Sequence, residues 1–180
     1  MSCRFQNYVD NLDGFNREHY QTILDAWDPA KLSKANELAK KLDNAGCIES
    51  EAWVFSEIDE NIAQSARFIF LKNLWGKVIN PAPTLGVENL RLSDEKCANT
   101  LKKLDAVLSS EEKEHLFKEF AIQMGCDFVQ AIDEGYSYEY DELPSWILME
   151  VDVDTAQLTG RDIGGLHESF MDEDYSGKSI

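Results

Sequence analysis

The stretch of sequence that decides the fold class is SSEEKEHLFKEFAIQMGCDFVQAIDEG, residues 109–135. Ser109 followed three residues later by Glu112 forms a capping box, a common start signal for a helix. Large apolar residues then recur every three or four positions as far as Gly135, which is the spacing of one face of an α-helix. The stretch therefore predicts one long helix with these apolar positions: Leu116, Phe117, Phe120, Ala121, Met124 and Phe128.

Helical spacing also covers the beginning of the chain. Asn16 suits the N-cap of a first helix that runs to Trp27. Asp28 and Pro29 then have the N-cap and first-turn pattern of a second helix, because proline fits the first helical position. Gly46 can adopt the left-handed conformation that ends this second helix.

A third apolar pattern predicts one continuous helix over residues 55–78. Its second half is apolar on nearly every side, which is typical of a helix in the centre of a bundle, so Trp75 is expected to be buried. Pro81 stops the helix, and a loop of about ten residues then leads to Ser93-Asp94, the N-cap of a fourth helix.

The last third of the chain is open to two interpretations. Residues 145–158 fit a helix slightly better, but their apolar residues also alternate with polar ones, as in a strand. A strand needs a partner, and residues 85–92 are a weak candidate. A short final helix is expected at residues 166–171, followed by a frayed acidic tail at residues 172–180.

These patterns predict a mainly α fold. We expect a single-domain helical bundle of six or seven helices over residues 1–171, with a short strand pair near the C-terminus as the alternative for residues 145–158. A chain of 180 residues is long enough to bury a substantial core as one domain.

Negative charge is concentrated at the C-terminal end of the sequence. The chain carries −17, and its last 55 residues hold 14 acids against two bases, which gives −12. Such a surface attracts cationic partners and repels nucleic acid and anionic lipid. The four cysteines are widely spaced, and no long apolar segment is present, so we expect a soluble cytoplasmic protein that does not bind membranes.

Two acidic motifs resemble incomplete metal sites. Glu112 and His115 form one Glu-x-x-His, whereas di-iron helical bundles supply this motif from two helices. Residues 172–177 match the first half of a calcium loop, but the chain ends before the position of the bidentate glutamate. We therefore expect no metal and no cofactor.

One string resembles a known catalytic motif. Residues 161–167, RDIGGLH, are similar to the Arg-polar-x4-His motif of the HEPN ribonucleases, a family of small helical bundles. The resemblance implies that Arg161 and His167 would form a catalytic pair at a dimer interface. The pair would act on the 2′-hydroxyl and phosphate of RNA.

Aromatic residues interleave with carboxylates just before and within the ambiguous segment. Rings supply contact area at low entropic cost and stack on arginine, while carboxylates pair with it, so the combination is typical of protein-binding surfaces. In the alternative interpretation, the rings close the bundle and the acids only face water. The predicted partner-binding residues are Tyr138, Glu139, Tyr140, Asp141, Glu142, Trp146, Asp152 and Asp154.

The leading functional hypothesis is a non-enzymatic protein that caps a basic partner, as an immunity protein or antitoxin caps a toxin or nuclease. A second hypothesis is a phosphate mimic that occupies a DNA-binding groove, which predicts carboxylates spaced along a strip. The HEPN-like ribonuclease is the third. The sequence does not define the oligomeric state.

Overall fold

The computed structural model of the protein describes residues 4–135 and 146–171. The fold is mainly helical with a short two-stranded antiparallel sheet near the C-terminus, as the sequence predicts. The chain divides into two compact units: Met1–Ile69 with Leu148–Gly164, and Phe70–Ile147 with Gly165–Ile180. The single domain over residues 1–171 stays a prediction. The acidic tail, residues 172–180, lies outside the described residues.

The first unit contains four complete helices: α1 (Arg4–Asn11), α2 (Gly14–Asp25), α3 (Pro29–Asn44) and α4 (Ser50–Glu60). An aromatic cluster forms its core, with the ring of Phe55 4.9 Å from Trp27 and 5.3 Å from Phe5 between centroids. Asp28 caps α3 by accepting the Lys31 backbone N–H, as the sequence predicts.

Helix α5 (Gln64–Leu74) begins in the first unit and ends in the second. The prediction of one continuous helix over residues 55–78 is wrong, because Asn61 adopts a left-handed φ of 59° and separates α4 from α5. Asparagine tolerates this conformation better than most residues. The buried Glu57 carboxylate then accepts the backbone N–H and the hydroxyl of Ser65 in the first turn of α5.

The second unit continues with two π-helical segments, Trp75–Ile79 and Ala82–Gly86, and then α6 (Val87–Ser93) and α7 (Glu95–Asp105). Trp75 is buried, as predicted. The predicted loop of about ten residues is instead helical, and the N-cap of α7 is Asp94, which accepts the Cys97 N–H.

Helix α8 (Ser110–Glu134) has the predicted capping box and ends at Gly135, whose φ is 63°. Its core-facing side includes Gly125, which lies against the ring of Phe170 on α9 (Leu166–Phe170). The ring of Phe170 stacks on Trp75, with 5.5 Å between centroids.

The sheet consists of β1 (Met149–Val151) and β2 (Leu158–Asp162), with Met149 opposite Asp162 and Val151 opposite Leu158. The slight preference for a helix over residues 145–158 is therefore wrong. The proposed strand partner, residues 85–92, is also wrong, because that segment is helical. Asp152 and Thr155 favour a turn, and the two strands form a local hairpin.

Candidate functional site

The structure describes three of the eight predicted binding residues. Asp152 and Asp154 lie in the loop between β1 and β2, in the first unit. Trp146 belongs to the second unit, where its side chain is half exposed. The other five lie outside the described residues: Tyr138, Glu139, Tyr140, Asp141 and Glu142.

The backbone of Trp146 is fixed beside the end of α8. Its N–H donates to the carbonyl of Gly135 over 2.7 Å. A Cβ atom at position 135 would collide with the Trp146 carbonyl, and the positive φ there also favours glycine. The chain direction at Trp146 is therefore set by Gly135, and the indole remains half exposed.

The loop of the hairpin is held by the side chain of Asp152. Its Oδ1 accepts the backbone N–H groups of Asp154 and Thr155 and the hydroxyl of Thr155, at 2.8–3.1 Å. These hydrogen bonds, led by the Thr155 backbone N–H, lower the pKa of the Asp152 carboxyl. Ala156 completes the loop in a left-handed conformation, with a φ of 56°. Asp152 therefore organises the loop, which is a structural role that the sequence prediction did not include.

We define residues 149–162 as the acidic hairpin. Its outer part faces solvent. Every residue from 151 to 160 is exposed. Val153, at the tip, is 93% exposed, and Leu158 is 66% exposed. The neighbouring Asp154 carboxylate makes no ion pair with the part of the chain that the structure describes. The tip thus presents the apolar side chain of Val153 beside an uncompensated negative charge.

The base of the acidic hairpin is fixed by a partly buried ion-pair network around Arg161. The guanidinium donates to Glu150 from Nε over 2.8 Å and from Nη2 over 2.7 Å. Nη1 donates to Glu57 on α4 over 3.0 Å and to the Ile62 carbonyl over 3.3 Å. Burial by itself would lower the pKa of Arg161, but the hydrogen bond and charge of Glu150 and the charge of Glu57 outweigh it, so the pKa is raised.

Sequence reasoning missed both carboxylates of this network, Glu57 and Glu150, and Glu57 is the more buried of the two. Its side chain is only 6% exposed, and it binds both Arg161 and Ser65. Glu57 and Arg161 are 104 positions apart, so no local pattern reveals the pair. The network joins the hairpin to α4 and to the start of α5 within the first unit, and a buried carboxylate of this kind is stable only with such partners.

The HEPN-like pair is placed on two different elements. Arg161 lies on β2 in the first unit, and His167 lies in α9 in the second. Gly165, with a φ of 66°, separates the strand from α9. The Arg161 guanidinium is already bound by two carboxylates, so its charge is compensated within the chain.

His167 has its own carboxylate partner, Asp133 on α8. Asp133 Oδ2 accepts the His167 backbone N–H over 2.8 Å and lies 2.7 Å from the ring Nδ1. The Asp133 side chain is 6% exposed, and its Oδ1 is buried without a hydrogen-bond partner in the described residues. A carboxylate in this position orients an imidazole, and here it also binds a free N–H group in the first turn of α9.

Within residues 4–135 and 146–171, no group of three or more histidine, cysteine or acidic side chains is arranged to hold a metal ion. Glu112 of the Glu-x-x-His motif accepts the Ser109 backbone N–H in the capping box. His115 is largely exposed, and its Nδ1 lies 3.8 Å from Oε1 of Glu119. The candidate calcium loop at residues 172–177 is outside the described residues.

The chain matches no protein-family model, no curated protein and no solved structure. Among the described helices, none is long and apolar enough to cross a membrane.

Proposed function

We propose that this protein is a non-enzymatic binding protein that docks the acidic hairpin on a basic partner protein and thereby covers it. Immunity proteins and antitoxins act on toxins in this manner. The observation that carries the proposal is the hairpin tip, where the exposed Val153 lies beside the uncompensated Asp154 carboxylate.

The two kinds of side chain at the tip have different roles in binding. Burying an exposed valine against a partner contributes about 1.5–3 kcal/mol, so Val153 can supply affinity. The carboxylates supply orientation and speed, because charge complementarity raises association rates by roughly 10 to 10³-fold. Positive charge on the partner is thus favoured by Asp154 and by the −12 charge of the last 55 residues.

Fixed geometry supports a docking role for the same element. The Asp152 hydrogen bonds set the loop conformation, and Arg161 fixes the base of the hairpin before any partner arrives. A preorganised loop loses less conformational entropy on binding, and this raises affinity. Asp152 and Asp154, the two described carboxylates among the predicted binding residues, lie together in one loop, which supports capping of a protein more than a strip of phosphate mimics.

The test begins with affinity capture from an extract of the native cell at low salt, followed by kinetics with the purified captured protein. Asp154→Lys should slow association several-fold at low salt, because it reverses the charge at the tip. Val153→Ser should instead raise the dissociation rate, because it removes apolar contact area.

The matched control is Glu37→Lys on α3, which is exposed and changes the net charge by the same amount. An association rate lowered equally by Asp154→Lys and Glu37→Lys would mean that the overall charge acts and that the hairpin is not the docking element. Detectable RNA cleavage by the parent protein, lost in Arg161→Ala and His167→Ala, would replace this proposal with the ribonuclease.

A further inference from the structure

Helix α8 exposes a continuous apolar stripe, which we define as Leu116, Phe120, Met124 and Phe128. These side chains are 49%, 63%, 54% and 53% exposed. Residues four apart lie next to each other on a helix, so the four form one row about three turns long. Exposed apolar rows of this kind mark interaction sites in soluble proteins.

The stripe is separate from the side of α8 that packs in the second unit. Gly125 and Val129 are the buried residues of the helix, and Gly125 lies against Phe170 and Ile79. Because successive residues rotate by about 100° around a helix, Gly125 points well away from Met124. The core of the unit therefore forms without the stripe.

An apolar hollow lies beside the stripe in the same unit. It has a volume of about 480 Å³, and its lining includes Leu101 and Leu104 of α7 and Phe117 of α8, with one acid and one base, Asp94 and Lys96, at its edge. Phe117 is three residues before Phe120, so the hollow and the stripe adjoin on the helix surface. A row of apolar contacts beside a hollow that can take one anchoring side chain is typical of grooves that bind a helix.

The charges around the stripe define the chemistry of its occupant. Glu119 and Asp127 each lie three positions after a member of the stripe and border it on one side. Glu112 lies in line with the stripe at its N-terminal end, where its carboxylate also accepts the Ser109 backbone N–H. Lys113 also neighbours Leu116, but its ammonium group is bound to Asp105 over 2.6 Å. Over its whole length α8 carries seven acids and two lysines. A partner with lysine or arginine along one flank is therefore favoured.

We infer that the apolar stripe of α8 binds a cationic amphipathic helix of a partner protein, with apolar residues at helical spacing and basic residues on the adjoining flank. A second copy of this chain does not fit this chemistry, because it would bring the same acids and a further charge of −17 to the surface. The site lies on α8 and the neighbouring α7 in the second unit, and it does not require the acidic hairpin to bind.

The test uses a designed probe, a fluorescently labelled peptide of about 18 residues made of leucine and lysine, with the leucines at helical spacing. A scrambled peptide of the same composition controls for attraction by charge alone. In fluorescence anisotropy, the full chain should bind the amphipathic peptide at least about tenfold more tightly than the scrambled one. The double variant Phe120→Gln, Phe128→Gln should lose this difference.

Two controls separate this inference from the function proposed for the acidic hairpin. Val107→Gln removes an apolar side chain that is even more exposed, at 75%, elsewhere in the second unit and should leave peptide binding unchanged. Asp154→Lys should also leave it unchanged, whereas it should slow binding of the native partner. Met124→Ser provides a second test variant if the double variant does not keep the melting temperature of the parent protein.

Three results would overturn the inference. The first is equal binding of the amphipathic and scrambled peptides, which would mean that charge alone attracts them. The second is equal binding of a peptide in which glutamate replaces lysine, since the flank would then have no preference for cations. The third is a dimer of the parent protein in sedimentation that the double variant loses, because the stripe would then be covered by a second copy.

Discussion

The acidic hairpin should unfold far more easily when Arg161, the cation at its base, is removed. Arg161→Met keeps most of the side-chain volume but leaves the Glu57 carboxylate, only 6% exposed, without its cation. Loss of one partner from a fully buried ion pair costs about 3–5 kcal/mol. The Arg161 side chain is 20% exposed, and Ser65 still donates two hydrogen bonds to Glu57, so we expect about 2–3 kcal/mol.

Urea unfolding measures the global loss, and native-state hydrogen exchange assigns it to the hairpin. The reporting amide is Ile163, which donates to the Leu148 carbonyl over 2.7 Å. Combining Arg161→Met with Glu57→Gln should recover at least about 1 kcal/mol, because the second substitution removes the more buried of the two carboxylates that lose their cation, the other being Glu150.

The control for this experiment is Arg91→Met in the second unit. The pair of Arg91 with Asp105 is exposed, at 42% and 30%, so its loss should cost less than about 1 kcal/mol. If Arg161→Met costs no more than this control, or if the double variant is less stable than Arg161→Met alone, the network does not hold the hairpin as we argue.

The remaining predictions concern the hairpin loop and the second unit. Ala156→Gly removes the cost of about 1 kcal/mol that alanine pays for a left-handed φ. Glycine also raises the conformational entropy of the unfolded chain, which lowers the stability by up to about 1 kcal/mol. The two effects nearly cancel, so thermal unfolding should show unchanged or slightly higher stability. Phe170→Ala should destabilise the second unit by about 3–5 kcal/mol in urea unfolding, and Gly125→Ala by about 1–3 kcal/mol, because the added methyl meets that ring. The pKa of Asp152 is lowered by folding, so its contribution to the loop is complete above the unfolded carboxyl value of about 3.9 and is lost as pH falls through the folded value. The chemical shift of the Thr155 amide should follow this loss in an NMR titration, and the pH dependence of that shift should be absent in Asp152→Asn.

The helix boundaries that the sequence predicts correctly depend on local chemistry. The capping box of Ser109 and Glu112 and the cap at Asp28 each involve residues three positions apart, so the residue types at these positions are enough to predict them. The break between α4 and α5 is different. It depends on Asn61 and on the capping of α5 by Glu57, and the apolar spacing continues across it.

The candidate site was only partly predictable for a related reason. Asp152 and Asp154 have the same side chain two residues apart, yet one carboxylate organises the loop while the other faces solvent. The partnership of Arg161 with Glu57 joins distant parts of the chain. Periodicity predicts that residues 109–135 form a helix, but it does not reveal that the apolar stripe of α8 lies outside the core.

The most direct test of the central claim is the association rate of the purified native partner with the parent protein, Asp154→Lys and Glu37→Lys, at about 50 mM and about 500 mM salt. If the partner docks on the acidic hairpin, Asp154→Lys should associate several-fold more slowly than the parent protein at low salt, and Glu37→Lys should not. That difference should disappear at high salt, where exposed charges are screened within a few ångströms. Unchanged association of Asp154→Lys at low salt, or an equal loss in Glu37→Lys, would contradict docking through the hairpin.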